Sequence, residues 1–104
     1  MQRMNAPQLA AYLADADPLL LDVREAWEFE ICHIDGSINL PMSQIPAHLE
    51  QLEGADEIVL ICHHGIRSLR VAGYLQQALD ATLINLDGGV ESWAREVDPE
   101  MAVY

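Results

Sequence analysis

The chain has 104 residues, of which 51% are hydrophobic, and its 17 acidic residues outnumber its 5 basic ones for a formal net charge of −12. This length accommodates one domain with one modest core, so residues 1–104 are assigned to a single domain. The negative charge excludes nucleic acid and anionic membranes as expected partners, and no apolar run is long enough to span a bilayer.

The cysteine content and the first residues indicate the cellular compartment in which the protein is expected. Two cysteines do not make a disulfide framework in a chain of this size. Residues 1–12 lack the basic region and the long apolar stretch of a secretory signal. We therefore expect a reducing cytoplasm, in which a reactive thiol persists.

Capping and apolar signals define the first two elements. Asn5 is a candidate N-cap, Gln8 follows three residues later as in a capping box, and Pro7 is tolerated in a first turn. A helix is therefore predicted from Asn5 to about residue 15. The apolar run at 19–23 then predicts a strand buried on both faces.

Shorter signals occupy the next thirty residues. Residues 25–31 predict a short helix with Trp27 as a core anchor, and residues 37–40 predict a brief strand that ends at Pro41. Ser43 is a candidate cap for a further helix. The apolar positions of that helix follow helical spacing at Ile45, Leu49 and Leu52.

The second half of the chain carries the clearest strand. Residues 58–61 form an uninterrupted β-branched and leucine run, and a helix is predicted at 69–79. Residues 82–86 predict another strand, and a Gly-Gly turn leads into a last short helix around Trp93, a second core anchor. From residue 98 the chain is predicted to be a tail.

Short apolar strands thus alternate with helices. This pattern predicts an α/β fold with a central, mostly parallel sheet of about five short strands, covered by helices on both faces. Ligands of such folds bind beyond the carboxyl ends of the strands. Cys62 follows one predicted strand, and Asp22 and Arg24 lie at the end of another.

Cys62 is the candidate nucleophile. A strand, a tight loop and a helix point consecutive N–H groups at one small volume, which stabilises a thiolate at its rim. Gly65 has no Cβ and can take the positive φ that closes such a loop. Arg67 carries the forked guanidinium that binds an anion through paired hydrogen bonds.

The histidines and the second cysteine are weaker candidates. His63 and His64 either stabilise the thiolate when protonated or face solvent, and the sequence leaves both open. Cys32 is interpreted as a packing residue. Adjacent Cys-His pairs rarely chelate one ion, and no spaced ligand motif is present, so no zinc site and no cofactor are expected.

Four segments in the same order resemble the single-domain rhodanese family of sulfurtransferases. Residues 22–24 match its Asp-Val-Arg signature, and residues 33–39 match its His-Ile-x-Gly-Ala-x-Asn segment, with Ser37 in place of alanine. Residues 62–67 fit its Cys-x-x-Gly-x-Arg loop, and residues 86–93 resemble its closing Gly-Gly…Trp motif. The resemblance implies a rhodanese-like fold.

The last residues add to the resemblance, and one position departs from it. Residues 97–104 are similar to the ends of bacterial rhodanese domains, some of which are fused to larger sulfur-handling enzymes. Cys32 stands where the family usually has glycine or another residue.

The resemblance implies a two-step sulfur exchange. Cys62 would take a sulfane sulfur from thiosulfate or a persulfide, carry it as a persulfide, and pass it to cyanide or to a thiol, including a thiol of another protein. Asp22, Arg24 and Ser68 are expected to support the loop, the first two as an ion pair near the sheet edge. The substrate-binding residues implied are His63, His64, Gly65, Ile66 and Arg67.

Three alternatives are weighed against this reading. Cysteine-dependent phosphatases and arsenate reductases use a Cys-x5-Arg loop, whereas only four residues separate Cys62 from Arg67, and the smaller loop suits a sulfur atom. A protein-to-protein persulfide carrier overlaps with the enzyme. A non-enzymatic binding module is disfavoured because both residues are present. With one arginine and no lysine in the loop, we expect modest affinity for thiosulfate.

Overall fold

The computed structural model describes residues 1–104 and contains one sheet of five parallel strands. The strands are β1 (Gln2–Met4), β2 (Leu19–Asp22), β3 (Ile38–Asn39), β4 (Glu57–Ile61) and β5 (Thr82–Leu86). Their order across the sheet is β1-β5-β4-β2-β3, and all four neighbouring pairs are parallel. The predicted α/β architecture is therefore confirmed.

Four α-helices and one 3₁₀ segment connect the strands. They are α1 (Ala6–Leu13), α2 (Ala26–Ile31), the 3₁₀ segment (Met42–Gln51), α3 (Ile66–Ala78) and α4 (Gly89–Glu96). The predicted capping box of α1 is confirmed, because Gln8 N–H donates to Asn5 Oδ1 and Asn5 N–H donates to Gln8 Oε1, both at 2.9 Å.

The two faces of the sheet bury separate apolar clusters. Along β4, Ile58 and Leu60 belong to the cluster that α3 and the 3₁₀ segment cover. Val59 and Ile61 belong to the cluster that α1 and α4 cover. Since successive side chains of a strand point to opposite faces, burial on both faces explains why β4 has an uninterrupted apolar sequence.

Strand β1 was not predicted, although it forms one edge of the sheet. Its three residues pair with β5, and Arg3 lies opposite Asn85. The strand has no fully buried residue. It therefore carries none of the apolar periodicity by which the other strands are detected.

The predicted helix after Ser43 is wrong in its type and in its cap. Residues Met42–Gln51 form 3₁₀ turns, and the preceding residue, Pro41, provides no side-chain cap. Pro46 lies inside the segment, and His48 has the non-helical φ of −124°. A proline within the segment removes an N–H donor and disfavours a regular α-helix.

Two further predictions concern tryptophans and the start of α3. Trp93 is 8% exposed, which confirms it as a core residue, but Trp27 is 58% exposed and the prediction of a core anchor is wrong. Helix α3 begins at Ile66, three residues before the predicted start, because the turn at Gly65 enters the helix directly. No helix is both long enough and apolar enough to cross a membrane.

Gly89 allows α4 to press against the segment that follows β4. Its φ is +61°, and a Cβ at this position would lie 2.3 Å from the carbonyl oxygens of Cys62 and His63. The close approach lets Val90 N–H donate to Cys62 O at 2.9 Å and Glu91 N–H donate to His63 O at 3.2 Å. These two hydrogen bonds attach α4 to the loop after β4.

We therefore expect Gly89→Ala to lower the free energy of unfolding by about 2 kcal/mol or more, because the added methyl meets backbone atoms and the φ is strained. The matched control is Gly73→Ala, since Gly73 lies within α3 with open space around it. That control should be neutral or stabilising by up to about 1 kcal/mol. Urea unfolding of both variants measures the difference, and equal stabilities would contradict the role of Gly89.

Candidate active site

Cys62 lies directly after β4, at the carboxyl end of a central strand, and is 1% exposed. Its Sγ accepts the N–H of Gly65 at 3.0 Å and the N–H of Ser68 at 3.4 Å. The thiol also lies 3.3 Å from Ser68 Oγ. Backbone and hydroxyl dipoles, rather than a charged side chain, are therefore the direct neighbours of the sulfur. We call residues 62–68 the Cys62 loop.

The backbone of the Cys62 loop is held by Gly65. This residue has a φ of +92° and precedes the first turn of α3. A Cβ here would lie 2.9 Å from Gly88 N and 3.0 Å from Leu86 O, so the position requires glycine for both conformation and space. Some N–H groups of the loop donate to no protein acceptor, namely those of His63, His64, Ile66 and Arg67.

A buried polar network supports the loop from β5. Ser68 Oγ donates to Asn85 Oδ1 at 2.6 Å, and Asn85 Nδ2 donates to Gly65 O at 3.2 Å and to Asp87 Oδ1 at 2.7 Å. Asn85 is fully buried. The sequence analysis missed this residue, although a single amide within an otherwise apolar strand was a usable signal, because buried amides need hydrogen-bond partners.

Arg67 binds a carboxylate of the protein itself. Its Nη1 donates to Glu28 Oε1 at 2.8 Å and its Nη2 donates to Glu28 Oε2 at 2.9 Å. These hydrogen bonds hold the pKa of Glu28 down at about 2, and they raise the pKa of Arg67. The guanidinium that the sequence predicted to bind an anionic substrate is thus already compensated by Glu28, a residue of α2 that the sequence analysis did not single out.

The last residue completes this group, which the predicted tail did not anticipate. Tyr104 OH donates to Glu28 Oε2 and accepts from Arg24 Nη1 at 3.2 Å. Its ring meets the His63 ring edge-on, with 4.3 Å between the centroids. Burial, followed by the bond to Glu28, raises the pKa of Tyr104. Residues 98–104 therefore return to the active-site end of the sheet.

Asp22 and Arg24 form a fully buried ion pair, with 2.6 Å between Oδ2 and Nη2. Asp22 ends β2, an interior strand of the sheet. Arg24 also donates to Cys32 O at 2.6 Å and to Glu28 O at 3.4 Å. The pairing is as expected, but its hydrogen bonds reach α2 and the residue after it rather than the Cys62 loop. The pair supports the loop indirectly, by holding the helix that carries Glu28.

The two loop histidines have different environments. His63 is half-buried between Tyr104 and His64, and burial together with the neighbouring His64 lowers its pKa. The shift favours the neutral form of His63. His64 is exposed, and its Nε2 lies 2.8 Å from Glu91 Oε2.

Cys32 does not join the Cys62 loop. It is 7% exposed and packs in the apolar cluster on one face of the sheet, whereas Cys62 belongs to the cluster on the other face. Its Sγ lies 3.8 Å from Arg24 Nη1. Both cysteines are free thiols, and their placement agrees with a packing role for Cys32.

A parallel α/β sheet with a thiol at the carboxyl end of its central strand, facing the first turn of the next helix, defines a class of cysteine-loop domains. The family model for the Rhodanese-like domain matches residues 5–96. The chain belongs to the rhodanese family, which confirms the resemblance found in the sequence.

Similar proteins agree on fold and on general activity. A sulfurtransferase of Allochromatium vinosum is 32% identical over 103 residues, which cover 98% of this chain and 96% of that protein. An adenylyltransferase and sulfurtransferase of Zea mays is 35% identical over 98 residues, which cover 86% of this chain but only 21% of that relative, so this chain spans about a fifth of its length. A rhodanese-like domain protein of Staphylococcus aureus has a TM-score of 0.83 at 25% identity and covers 100% of this chain and 99% of its own. These similarities support sulfur transfer in general.

The pair between Glu28 and Arg67 should make stability depend on pH. Because the pKa of Glu28 is about 2 in the folded chain against an ordinary 4.5, its contribution is complete above pH 4.5 and is lost as the pH falls towards 2. At pH 7 we expect Glu28→Gln to lower the free energy of unfolding by about 1–3 kcal/mol. That difference from the wild type should shrink at pH 3, as measured by urea unfolding.

Glu30→Gln is the control for this experiment, because Glu30 is an exposed acid of the same helix without a hydrogen-bond partner. Its difference from the wild type should stay small at both pH values. A Glu28→Gln penalty that is equal at pH 7 and pH 3 would show that the charge of Glu28 does not stabilise the fold.

Proposed function

We propose that this protein is a sulfurtransferase that carries a sulfane sulfur on Cys62. The Cys62 thiolate attacks the outer sulfur of a donor, a new S–S bond forms, and the donor's own sulfur–sulfur bond breaks with departure of a thiolate, or of sulfite from thiosulfate. An acceptor thiol or cyanide then attacks the outer sulfur, and the Cys62 thiolate is restored. The position of Cys62 Sγ among the loop N–H groups is the observation that carries this proposal.

The same loop suits the charged intermediate. A persulfide places negative charge one sulfur atom beyond Sγ, and fixed N–H groups stabilise such charge without reorganising. Gly65 and Ser68 already donate to Sγ. The N–H groups of His64, Ile66 and Arg67 have no protein acceptor and are the proposed donors to the outer sulfur or to the departing group.

A persulfide is the donor class that the charges favour. Arg67 is paired with Glu28 and Arg24 is paired with Asp22, so neither of these two guanidinium groups is free to bind a small dianion. The net charge of −12 adds repulsion at longer range. We therefore propose that thiosulfate is a weak donor, and that the sulfur arrives on a thiol, which makes no demand for a cationic site.

A protein-to-protein persulfide carrier is the second candidate. It rests on the relatives named adenylyltransferase and sulfurtransferase, in which a segment similar to this chain is part of a larger protein. The chemistry on Cys62 would be the same, and only the acceptor would differ. Phosphatase or arsenate reductase activity is not proposed, because only four residues separate Cys62 from Arg67.

The persulfide can be measured directly. Incubation of the purified protein with a persulfide donor, or with excess thiosulfate, should add the mass of one sulfur atom, located on Cys62 by peptide mapping. Cys62→Ser should gain nothing and should lose sulfur transfer, because no thiolate remains. Cys32→Ser, the matched control, should gain the sulfur as the wild type does. Sulfur on Cys32, or no mass gain with either donor, would overturn the proposal.

The charge of Glu28 should set the affinity for thiosulfate. Glu28→Gln preserves the shape of the side chain but leaves the positive charge of Arg67 uncompensated. We expect the KM for thiosulfate to fall by about three- to tenfold, on the order of 1 kcal/mol. Glu30→Gln makes the same change in net charge on the exposed face of α2 and should leave the KM nearly unchanged, because exposed charges are screened. An unchanged KM in Glu28→Gln would refute this explanation of donor choice.

A further inference from the structure

A cluster of metal-ligand side chains lies beside the Cys62 loop. His63, His64 and Glu91 each offer one ligand atom, and these atoms all lie within 4.8 Å of one another. His64 Nε2 and Glu91 Oε2 are only 2.8 Å apart. Imidazole nitrogens and a carboxylate oxygen form a ligand set that Zn²⁺ accepts, with a fourth position open to water or another ligand.

The sequence alone argued against a metal here, because adjacent Cys-His pairs rarely chelate one ion. The structure changes that argument by adding a ligand from a different element. Glu91 lies in the first turn of α4, whereas the histidines lie in the Cys62 loop. The ligands therefore come from two segments of the chain, and the Cys62 thiol is not one of them.

The backbone holds these two segments together before any ion binds. Glu91 N–H donates to His63 O at 3.2 Å, and Val90 N–H donates to Cys62 O at 2.9 Å. The His63 and Tyr104 rings pack in a T-shaped contact with 4.3 Å between their centroids, which limits the space into which the His63 ring can turn. Because the ligands are already gathered, little conformational entropy is lost on binding an ion.

The contacts that would compete with a metal ion for His64 and Glu91 are weak. Arg95 Nη1 lies 3.8 Å from Glu91 Oε1, and their side chains are 63% and 40% exposed, so this long surface pair contributes little. The exposed His64 makes its contact with the same carboxylate. A divalent cation would replace both contacts, and the net charge of −12 raises the local concentration of cations.

We propose that His63, His64 and Glu91 bind a divalent transition-metal ion of the zinc type. Two of these ligands directly follow Cys62, so a bound ion with its own water ligands lies beside the Cys62 loop, obstructs the approach of a sulfur donor and inhibits sulfur transfer. The inhibition rests on the proposed function of Cys62, whereas the binding does not. The site would therefore act as an inhibitory metal site next to a thiol chemistry that uses no metal.

Calorimetric titration with Zn²⁺ alone tests the binding. We expect one ion per chain, retained in Cys62→Ser because the ligand set contains no thiol. Glu91→Gln and His64→Gln should each weaken binding by about tenfold or more. The matched controls are Glu96→Gln, an exposed acid of the same helix, and His48→Gln on the 3₁₀ segment, and both should bind Zn²⁺ as the wild type does.

Two results would overturn the site. No binding of Zn²⁺ to the wild type would do so, and so would loss of binding in Cys62→Ser together with unchanged binding in Glu91→Gln, which would identify the thiol as the ligand. Circular dichroism of each variant establishes that it is folded.

Inhibition is measured separately, as the rate at which thiosulfate adds one sulfur atom to the protein at increasing Zn²⁺. The half-inhibitory concentration should match the dissociation constant of the wild type, and both should rise by the same factor in Glu91→Gln. Zn²⁺ that binds as proposed without slowing the reaction would refute the inhibition. If neither thiosulfate nor a persulfide donor adds sulfur even without Zn²⁺, the proposed function fails instead, and the calorimetric result on the metal site stands by itself.

Discussion

The paired hydrogen bonds between Arg67 and Glu28 connect the parts of the candidate active site. Arg67 lies in the first turn of α3, and Glu28 lies in α2. The buried Asp22–Arg24 pair in turn holds α2 in place through the carbonyl oxygens of Glu28 and Cys32. The end of β2, helix α2 and the Cys62 loop are thereby joined in one polar network. The position of the loop therefore depends on Glu28, which lies 39 residues before Arg67 in the sequence.

This network also sets the charge around the sulfur. Arg24 and Arg67 each have a carboxylate partner, and burial lowers the pKa of His63, which favours its neutral form. The direct neighbours of Cys62 Sγ are N–H and hydroxyl dipoles, which are fixed by the turn at Gly65 and by the hydrogen bond from Ser68 to Asn85. Dipoles of this kind stabilise a thiolate or a persulfide without reorganising.

Sequence patterns predicted the strands and helices whose formation depends on neighbouring residues in the chain. The apolar runs of β2, β4 and β5 report burial on both faces of a parallel sheet, and the Asn5 capping box reports its helix directly. The features that were not predicted depend on residues far away in the sequence. Glu28 meets Arg67 across 39 residues and Tyr104 across 76, and no composition or periodicity reveals such pairs. Strand β1 is recognised only through its pairing with β5, and the exposure of Trp27 depends on how α2 packs, which its own sequence does not show.

Two acids from different helices contact side chains of the Cys62 loop. Glu28 of α2 compensates Arg67, and Glu91 of α4 contacts His64. The first contact is partly buried, and it holds the pKa of Glu28 down at about 2, so that Glu28 stays ionised near neutral pH. The second is exposed, so its partners can be exchanged for an ion. The Glu28–Arg67 contact thus fixes the position of the loop, whereas the Glu91–His64 contact can give way to a metal ion, as the proposed inhibition of Cys62 requires.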